Sequence, residues 1–111
     1  MNNKKYRYHH TGIPTKRKLK DEQYLSDFDV YVSGYGKNEF NIEWMRYGKK
    51  SKVPKIVQQL PHVAFEVDDL KKALKGKEVI IEPNSPFPGL VVAFVLVNGI
   101  PVEFMQFIKK K

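Results

Sequence analysis

A short internal repeat constrains the fold of this chain more than any other feature. Residues 42–47 read IEWMRY and residues 102–107 read VEFMQF, with glutamate second and methionine fourth in both. Upstream, HTGIPT from His10 and HVAFEV from His62 align a histidine, a small residue and a bulky apolar residue. The repeat predicts two similar halves, each beginning with a histidine strand and ending with a glutamate strand.

The second half has the clearer local pattern. In LPHVAFEVDDL, residues 60–70, polar and apolar residues alternate, which predicts a strand whose polar face carries His62. Asp68 or Asp69 is suited to cap a following helix, and Gly76 to end it in a left-handed conformation. The further predicted elements are a short strand at 78–82, a long turn at 83–89, a strand at 90–97, a tight hairpin at 98–99 and a strand at 101–108. This half therefore has the order β-α-β-β-β.

The first half lacks a comparable helix pattern. Its predicted elements are a strand at about 6–13, a basic loop at 15–20, a single turn at 21–26 and strands at 28–33 and 41–47. The interval from His10 to Glu43 is eight residues shorter than that from His62 to Glu103, and the difference falls where the second half has its helix. We therefore predict one domain over 1–111, with module one at about 5–48, a loop at 49–60 and module two at about 61–108.

Composition excludes several kinds of site. The chain has no cysteine, which rules out disulfides, thiol nucleophiles and thiolate metal ligands. The net charge of +8 is spread over separate basic groups at 4–7, 16–20, 49–55, 71–77 and 109–111. No nucleic-acid partner is expected from so dispersed a charge, although an anionic small substrate would be favoured. The longest apolar run, 90–97, is too short for a membrane span and the first ten residues lack a signal-peptide core, so a cytoplasmic protein is expected.

The repeated histidines and glutamates form a candidate metal site. If the polar faces of the two halves pack inward, they bring together His10, Glu43, His62 and Glu103. Two imidazoles and two carboxylates suit a divalent ion such as Ni²⁺, Co²⁺, Zn²⁺ or Mn²⁺. A six-coordinate ion would keep positions open for a substrate, whereas a closed tetrahedral zinc would be structural. Strand alternation places His9 on the outer surface and turns Arg46 away from the site.

The order His, Glu, His, Glu, with the HTGI and PHVAFEVDDL segments, resembles the vicinal oxygen chelate superfamily over nearly the whole chain. That group includes glyoxalases, epimerases, extradiol dioxygenases and bleomycin resistance proteins. The resemblance implies an α+β fold in which two βαβββ-type modules, the first with a reduced or missing helix, form an open cupped mixed sheet around a divalent metal ion. It matches His10, Glu43, His62 and Glu103 to the four ligands.

The resemblance also implies a function. A glyoxalase-like lyase or isomerase would chelate vicinal oxygens of a small carbonyl or hydroxy-acid compound, with Glu103 or Glu43 as the base. The alternatives are a sequestering or resistance protein without turnover, and a metal-bound domain without activity. A homodimer is expected. Five further side chains share strand faces with the proposed ligands and are predicted to contact the substrate: Tyr8, Met45, Tyr47, Met105 and Phe107.

Overall fold

The computed structural model describes residues 5–108, so that Lys4 and the basic group at 109–111 lie outside it. The elements in chain order are β1 (Arg7–Pro14), β2 (Gln23–Leu25), β3 (Val30–Ser33), β4 (Ile42–Tyr47), α1 (Lys55–Gln59), β5 (His62–Glu66), α2 (Leu70–Leu74), β6 (Glu78–Phe87), β7 (Leu90–Val97) and β8 (Ile100–Phe107). Within this part of the chain, no helix has the length and apolar character needed to cross a membrane.

The eight strands within residues 5–108 belong to one mixed sheet in the order β2-β3-β4-β1-β5-β8-β7-β6. The two halves of the chain meet where β1 pairs antiparallel with β5 at the centre. On one side β1 pairs parallel with β4, and on the other β5 pairs parallel with β8, while the outer pairs are antiparallel. Residues 15–22 contain no helix. The predicted α+β fold, a cupped mixed sheet whose first half lacks its helix, is confirmed.

Three local predictions were wrong. Residues 21–26 were predicted as a turn, but Gln23–Leu25 pairs with β3 as an edge strand. Residues 83–89 were predicted as a long turn, but β6 continues to Phe87 with irregular pairing to β7. An edge strand with bulges tolerates its two prolines because one side of its ladder needs no hydrogen-bond donors. The third difference is α1, which begins directly after Pro54 where a loop was expected.

The helix of the second half packs on the outer face of the sheet. The carboxylate of Asp69 accepts a hydrogen bond from Lys72 N–H, and Gly76 has the left-handed φ of 75° that a chain leaving a helix requires. The buried residues of this core are Val67, Leu70, Ala73, Ala93, Val95 and Phe104. Helix α2 covers the outer face of the sheet, and the inner face is not covered by a helix of this core. The histidines and glutamates of the repeat lie on that inner face.

Candidate metal centre

Strand register brings the predicted ligands into two adjacent rows across the inner face. In one row Gly12 on β1 lies between Glu43 on β4 and His62 on β5. In the next row, Ala64 on β5 lies between His10 on β1 and Glu103 on β8. Neighbouring rows on one face are two residues apart, so the four polar side chains project from adjacent positions.

Three of the four predicted ligands converge closely. One carboxylate oxygen of Glu103, Oε1, lies 3.3 Å from Nε2 of His10 and 3.2 Å from Nε2 of His62. Potential ligand atoms of these three residues all lie within 4.8 Å of one another, and all three residues are buried. Glu43 does not belong to this group, although its Oε1 lies 3.7 Å from His10 Nε2. The carboxylates of Glu43 and Glu103 therefore lie in different surroundings.

A close approach to glycine positions His62. A Cβ atom at Gly12 would overlap Cε1 of the imidazole and lie only 2.7 Å from its Nε2, so the ring lies directly against the glycine backbone. The ring is also held edge-on by Phe94, with 4.9 Å between centroids. Nδ1 of His62 is buried and has no hydrogen-bond partner among the described residues. Packing, rather than a hydrogen bond from Nδ1, fixes the orientation of this ring.

The environment separates the acidity of the two glutamates. Burial alone would raise the pKa of Glu103. Hydrogen bonds from His10 and His62 have the larger, opposite effect and bring the pKa down to about 2. Burial raises the pKa of Glu43, and the nearby His10 offsets only part of this effect. Burial lowers the pKa of His10, but Glu103 and Glu43 raise it more. Glu103 is therefore suited to remain an ionised ligand, and Glu43 is the more basic carboxylate.

A β-bulge changes which residues of β1 face the site. Tyr8 pairs with Phe65 and His10 with Ala64, so β1 has one residue more than β5 at His9. Tyr8, predicted to contact substrate, does not line the cavity; its hydroxyl donates to the Phe40 carbonyl oxygen at 2.7 Å. The prediction assumed uninterrupted alternation, which the bulge breaks.

The same bulge brings an unpredicted residue to the site. His9, expected on the outer surface, lies against His10, with 2.9 Å between their Nδ1 atoms. It also stacks on the ring of Tyr35, a cavity residue that sequence reasoning did not select. The consecutive histidines are the only sequence signal for this arrangement. Arg46 is turned away from the site, as expected, and binds Glu22 at 2.7 Å.

The converging side chains open onto a cavity of about 460 Å³. The remaining predicted substrate contacts all line it: Met45, Tyr47, Met105 and Phe107. Most other lining residues are aliphatic or aromatic, including Val30, Val32, Phe94 and Leu90. Among the described residues of the wall, Lys37 is the only lysine or arginine. The cavity is thus mainly apolar, and besides the histidines and glutamates its wall includes the polar residues Asp21, Gln23, Ser33, Lys37 and Asn84.

The residues present fit a divalent metal ion. Two imidazole nitrogens and a carboxylate oxygen, all buried and within 4.8 Å of one another, form a donor set that suits Zn²⁺ and other first-row ions. The four-ligand prediction becomes a close group of three, His10, His62 and Glu103, with Glu43 beside it. These three residues can hold a divalent metal ion, and the donor set does not specify which one.

Comparison with known proteins adds to the description of the fold. No protein-family model and no curated protein matches the chain. The structure of hypothetical protein BH1468 from Bacillus halodurans C-125 superposes with a TM-score of 0.72 at 20% identity, covering 97% of this chain and 99% of that one. Methylmalonyl-CoA epimerase from Mycobacterium tuberculosis gives a TM-score of 0.66 at 15% identity, covering 98% and 93%.

These likenesses show a shared fold. Both superpositions extend over nearly the full length of this chain, so they include both modules and the central β1–β5 pair.

Proposed function

We propose that this protein is a metal-dependent lyase or isomerase acting on a small compound with two neighbouring oxygen atoms. The observation that carries the proposal is the convergence of His10, His62 and Glu103 on the inner face, with a second carboxylate, Glu43, beside the same His10. Support comes from the fold shared with a methylmalonyl-CoA epimerase. His10 and His62 would bind the metal through Nε2, and Glu103 through a carboxylate oxygen.

A bound divalent cation would supply Lewis-acid stabilisation of negative charge developing on the substrate oxygens. Substrate binding here would exclude water, because His10, His62 and Glu103 are all buried and the wall around them is mainly apolar. The residues of the chain would then have one remaining chemical task, which is to move a proton.

Glu43 is the residue we propose for that task. Glu103 Oε1 lies within 3.3 Å of both imidazoles and is itself proposed as a metal ligand, so its carboxylate would already be engaged. Glu43 has fewer competing contacts, and burial raises its pKa towards the range that favours general-base catalysis. Its carboxylate would take a proton from the carbon beside the substrate carbonyl, with the bonding electrons moving to the carbonyl oxygen. Return of the proton to carbon completes an isomerisation, whereas departure of a leaving group completes a lyase reaction.

The cavity suggests which compounds to test. Its volume of about 460 Å³ is within the range of small-molecule sites, and its largely aliphatic and aromatic wall favours a substrate with an apolar group. Lys37 on the wall offers a positive charge to an anionic group. We therefore propose a carbonyl or hydroxy acid that carries an alkyl or aromatic substituent.

The proposal is tested in two steps. Elemental analysis of protein purified without chelator should give about one Ni, Co, Zn or Mn per chain. α-Hydroxy and α-keto acids with apolar substituents are then screened in D₂O, where proton NMR detects loss of the α-proton. Glu43→Gln should keep the metal and slow exchange by about 10²-fold or more, whereas Glu82→Gln, at an exposed position on β6, should leave both unchanged. Full exchange in Glu43→Gln would refute the assignment of the base.

The mainly apolar cavity also favours a second candidate, a protein that sequesters a small molecule without converting it. This alternative predicts tight binding of an apolar compound to protein that remains metal-free when the four ions are supplied. Such a result would contradict the enzyme proposal and leave the fold unaffected.

A further inference from the structure

The bulge in β1 joins His9 to the candidate ligand His10. Their rings are nearly perpendicular, with centroids 5.2 Å apart, and the two Nδ1 atoms are 2.9 Å apart. This distance is that of a hydrogen bond, so one of the two Nδ1 atoms carries the proton and donates it while the other accepts. The atom of His10 that faces Glu103 and Glu43 is the other nitrogen, Nε2. His9 therefore contacts His10 on the side opposite to the candidate metal.

His9 is in turn fixed by the turn between β3 and β4. The side-chain amide of Asn41 donates to the backbone carbonyl of His9 at 2.7 Å, and the Oδ1 atom of Asn41 accepts from Gly36 N–H. This turn carries Tyr35, whose ring stacks on His9 with 5.6 Å between centroids and whose hydroxyl lies 3.1 Å from His9 Nε2. A continuous chain of two hydrogen bonds thus connects His10 to a tyrosine of the cavity wall.

The proton positions along this chain depend on what Nε2 of His10 does. If Nε2 donates to Glu103, a neutral His10 has no proton on Nδ1, so His9 donates from its Nδ1 and accepts from Tyr35 at Nε2. If Nε2 binds a metal ion, the proton of His10 is on Nδ1 and His9 must accept it. The proton of His9 is then on Nε2, which donates to the phenol oxygen. The Tyr35 hydrogen is consequently free to bond to a molecule in the cavity.

We propose that His9 is a positioning residue that sets the tautomer of His10, and that Tyr35 becomes a hydrogen-bond donor to the bound ligand when His10 holds a metal ion. This inference rests on the proposed metal site. It assigns one residue that acts through His10 and one that contacts the ligand.

The first test observes the tautomers directly. The full chain is labelled with ¹⁵N-histidine, and long-range ¹H–¹⁵N spectra are recorded before and after addition of Zn²⁺, with its three histidines assigned by substitution. We expect the zinc-loaded protein to carry protons on Nδ1 of His10 and Nε2 of His9. A His9 proton on Nδ1 in the zinc-loaded protein would overturn the inference.

The second test measures Zn²⁺ affinity by competition with a chelating dye. His9→Phe keeps a ring against Tyr35 but removes the acceptor for His10, so affinity should fall by about 10- to 100-fold. His9→Asn restores an acceptor oxygen at the position of Nδ1 and should recover most of the affinity. Circular dichroism verifies that both variants are folded. Affinity equal to wild type in both variants would overturn this inference alone, whereas a wild-type protein that does not bind Zn²⁺ would overturn the metal site as well.

The third test uses oxalate, a dianion with vicinal oxygens, as a probe for the zinc-loaded protein. Tyr35→Phe should weaken oxalate binding by about tenfold while Zn²⁺ affinity stays within about twofold of wild type. The matched control is Tyr31→Phe, on the outer face where the ring packs under Arg46. Equal oxalate affinity in wild type and Tyr35→Phe would refute the role of the hydroxyl as donor.

Discussion

Gly12→Ala should destabilise the protein because the new methyl group would collide with His62. The added Cβ would lie 2.7 Å from Nε2 and 2.9 Å from Nδ1, and it would overlap Cε1. The ring cannot move away freely, since His62 is 2% exposed and packs against Phe94. One methyl group thus tests how closely the imidazole approaches the sheet.

Two opposing effects determine the size of this change. Gly12 lies outside the left-handed region, so alanine fits the backbone and would add about 0.4–1 kcal/mol by restricting the unfolded chain. Overpacking a buried site costs about 1–3 kcal/mol. We expect a net loss of about 1–2 kcal/mol, which lowers Tm by about 4–8 °C in a domain of this size. Displacement of His62 should also weaken metal binding.

Thermal unfolding of four proteins checks the cause. Wild type, Gly12→Ala, His62→Ala and the double variant form a double-mutant cycle. Without the imidazole the collision disappears, so Gly12→Ala should be neutral or slightly stabilising in the His62→Ala background. An equal loss of stability in both backgrounds would refute the reasoning, because the cost would then come from the backbone or another neighbour.

Three further predictions concern the metal, acid stability and assembly. His62→Ala and Glu103→Gln should each lose metal from about one ion per chain while Glu82→Gln retains it, and unchanged stoichiometry by elemental analysis would refute the ligand assignment. Hydrogen bonds from Arg46 lower the pKa of Glu22 from 4.5 to about 2, so the stability contributed by this pair is present above pH 4.5 and is lost as the pH falls towards 2. Glu22→Gln should flatten this part of a Tm–pH profile, and a wild-type slope would contradict the assignment. Light scattering should give twice the chain mass of 13.0 kDa, and a monomer would count against the expected dimer.

The sequence repeat predicted the central arrangement because strand periodicity determines which side chains share a face. His10 and His62 occupy equivalent positions, and the small residues two places later pair with the two glutamates: Gly12 with Glu43, and Ala64 with Glu103. The repeat of residue types on strand faces was enough to predict that these side chains share one face, although it did not specify the register. The missing helix was predictable for the same reason, since eight residues were absent from one half.

Other features could not be read from local patterns. The bulge at His9 adds one residue to β1 relative to β5, and its effect on Tyr8 appears only when both strands are paired. The edge strand β2 is three residues long and gains its conformation from pairing with β3. Alternation within a segment predicts its faces, but neighbouring strands determine where the alternation is interrupted.

The two halves of the site are equivalent in register but differ in chemistry. In one row the central residue is glycine, and the imidazole of His62 lies directly on it. In the other row the central residue is Ala64, which is fully buried and pairs with His10. Glu103 contacts both imidazoles, whereas within the described residues Glu43 forms its ion pair with His10 alone. A near-symmetric scaffold thereby provides two carboxylates of different basicity, which is what a site needs if one carboxylate is to hold a metal ion and the other is to move a proton.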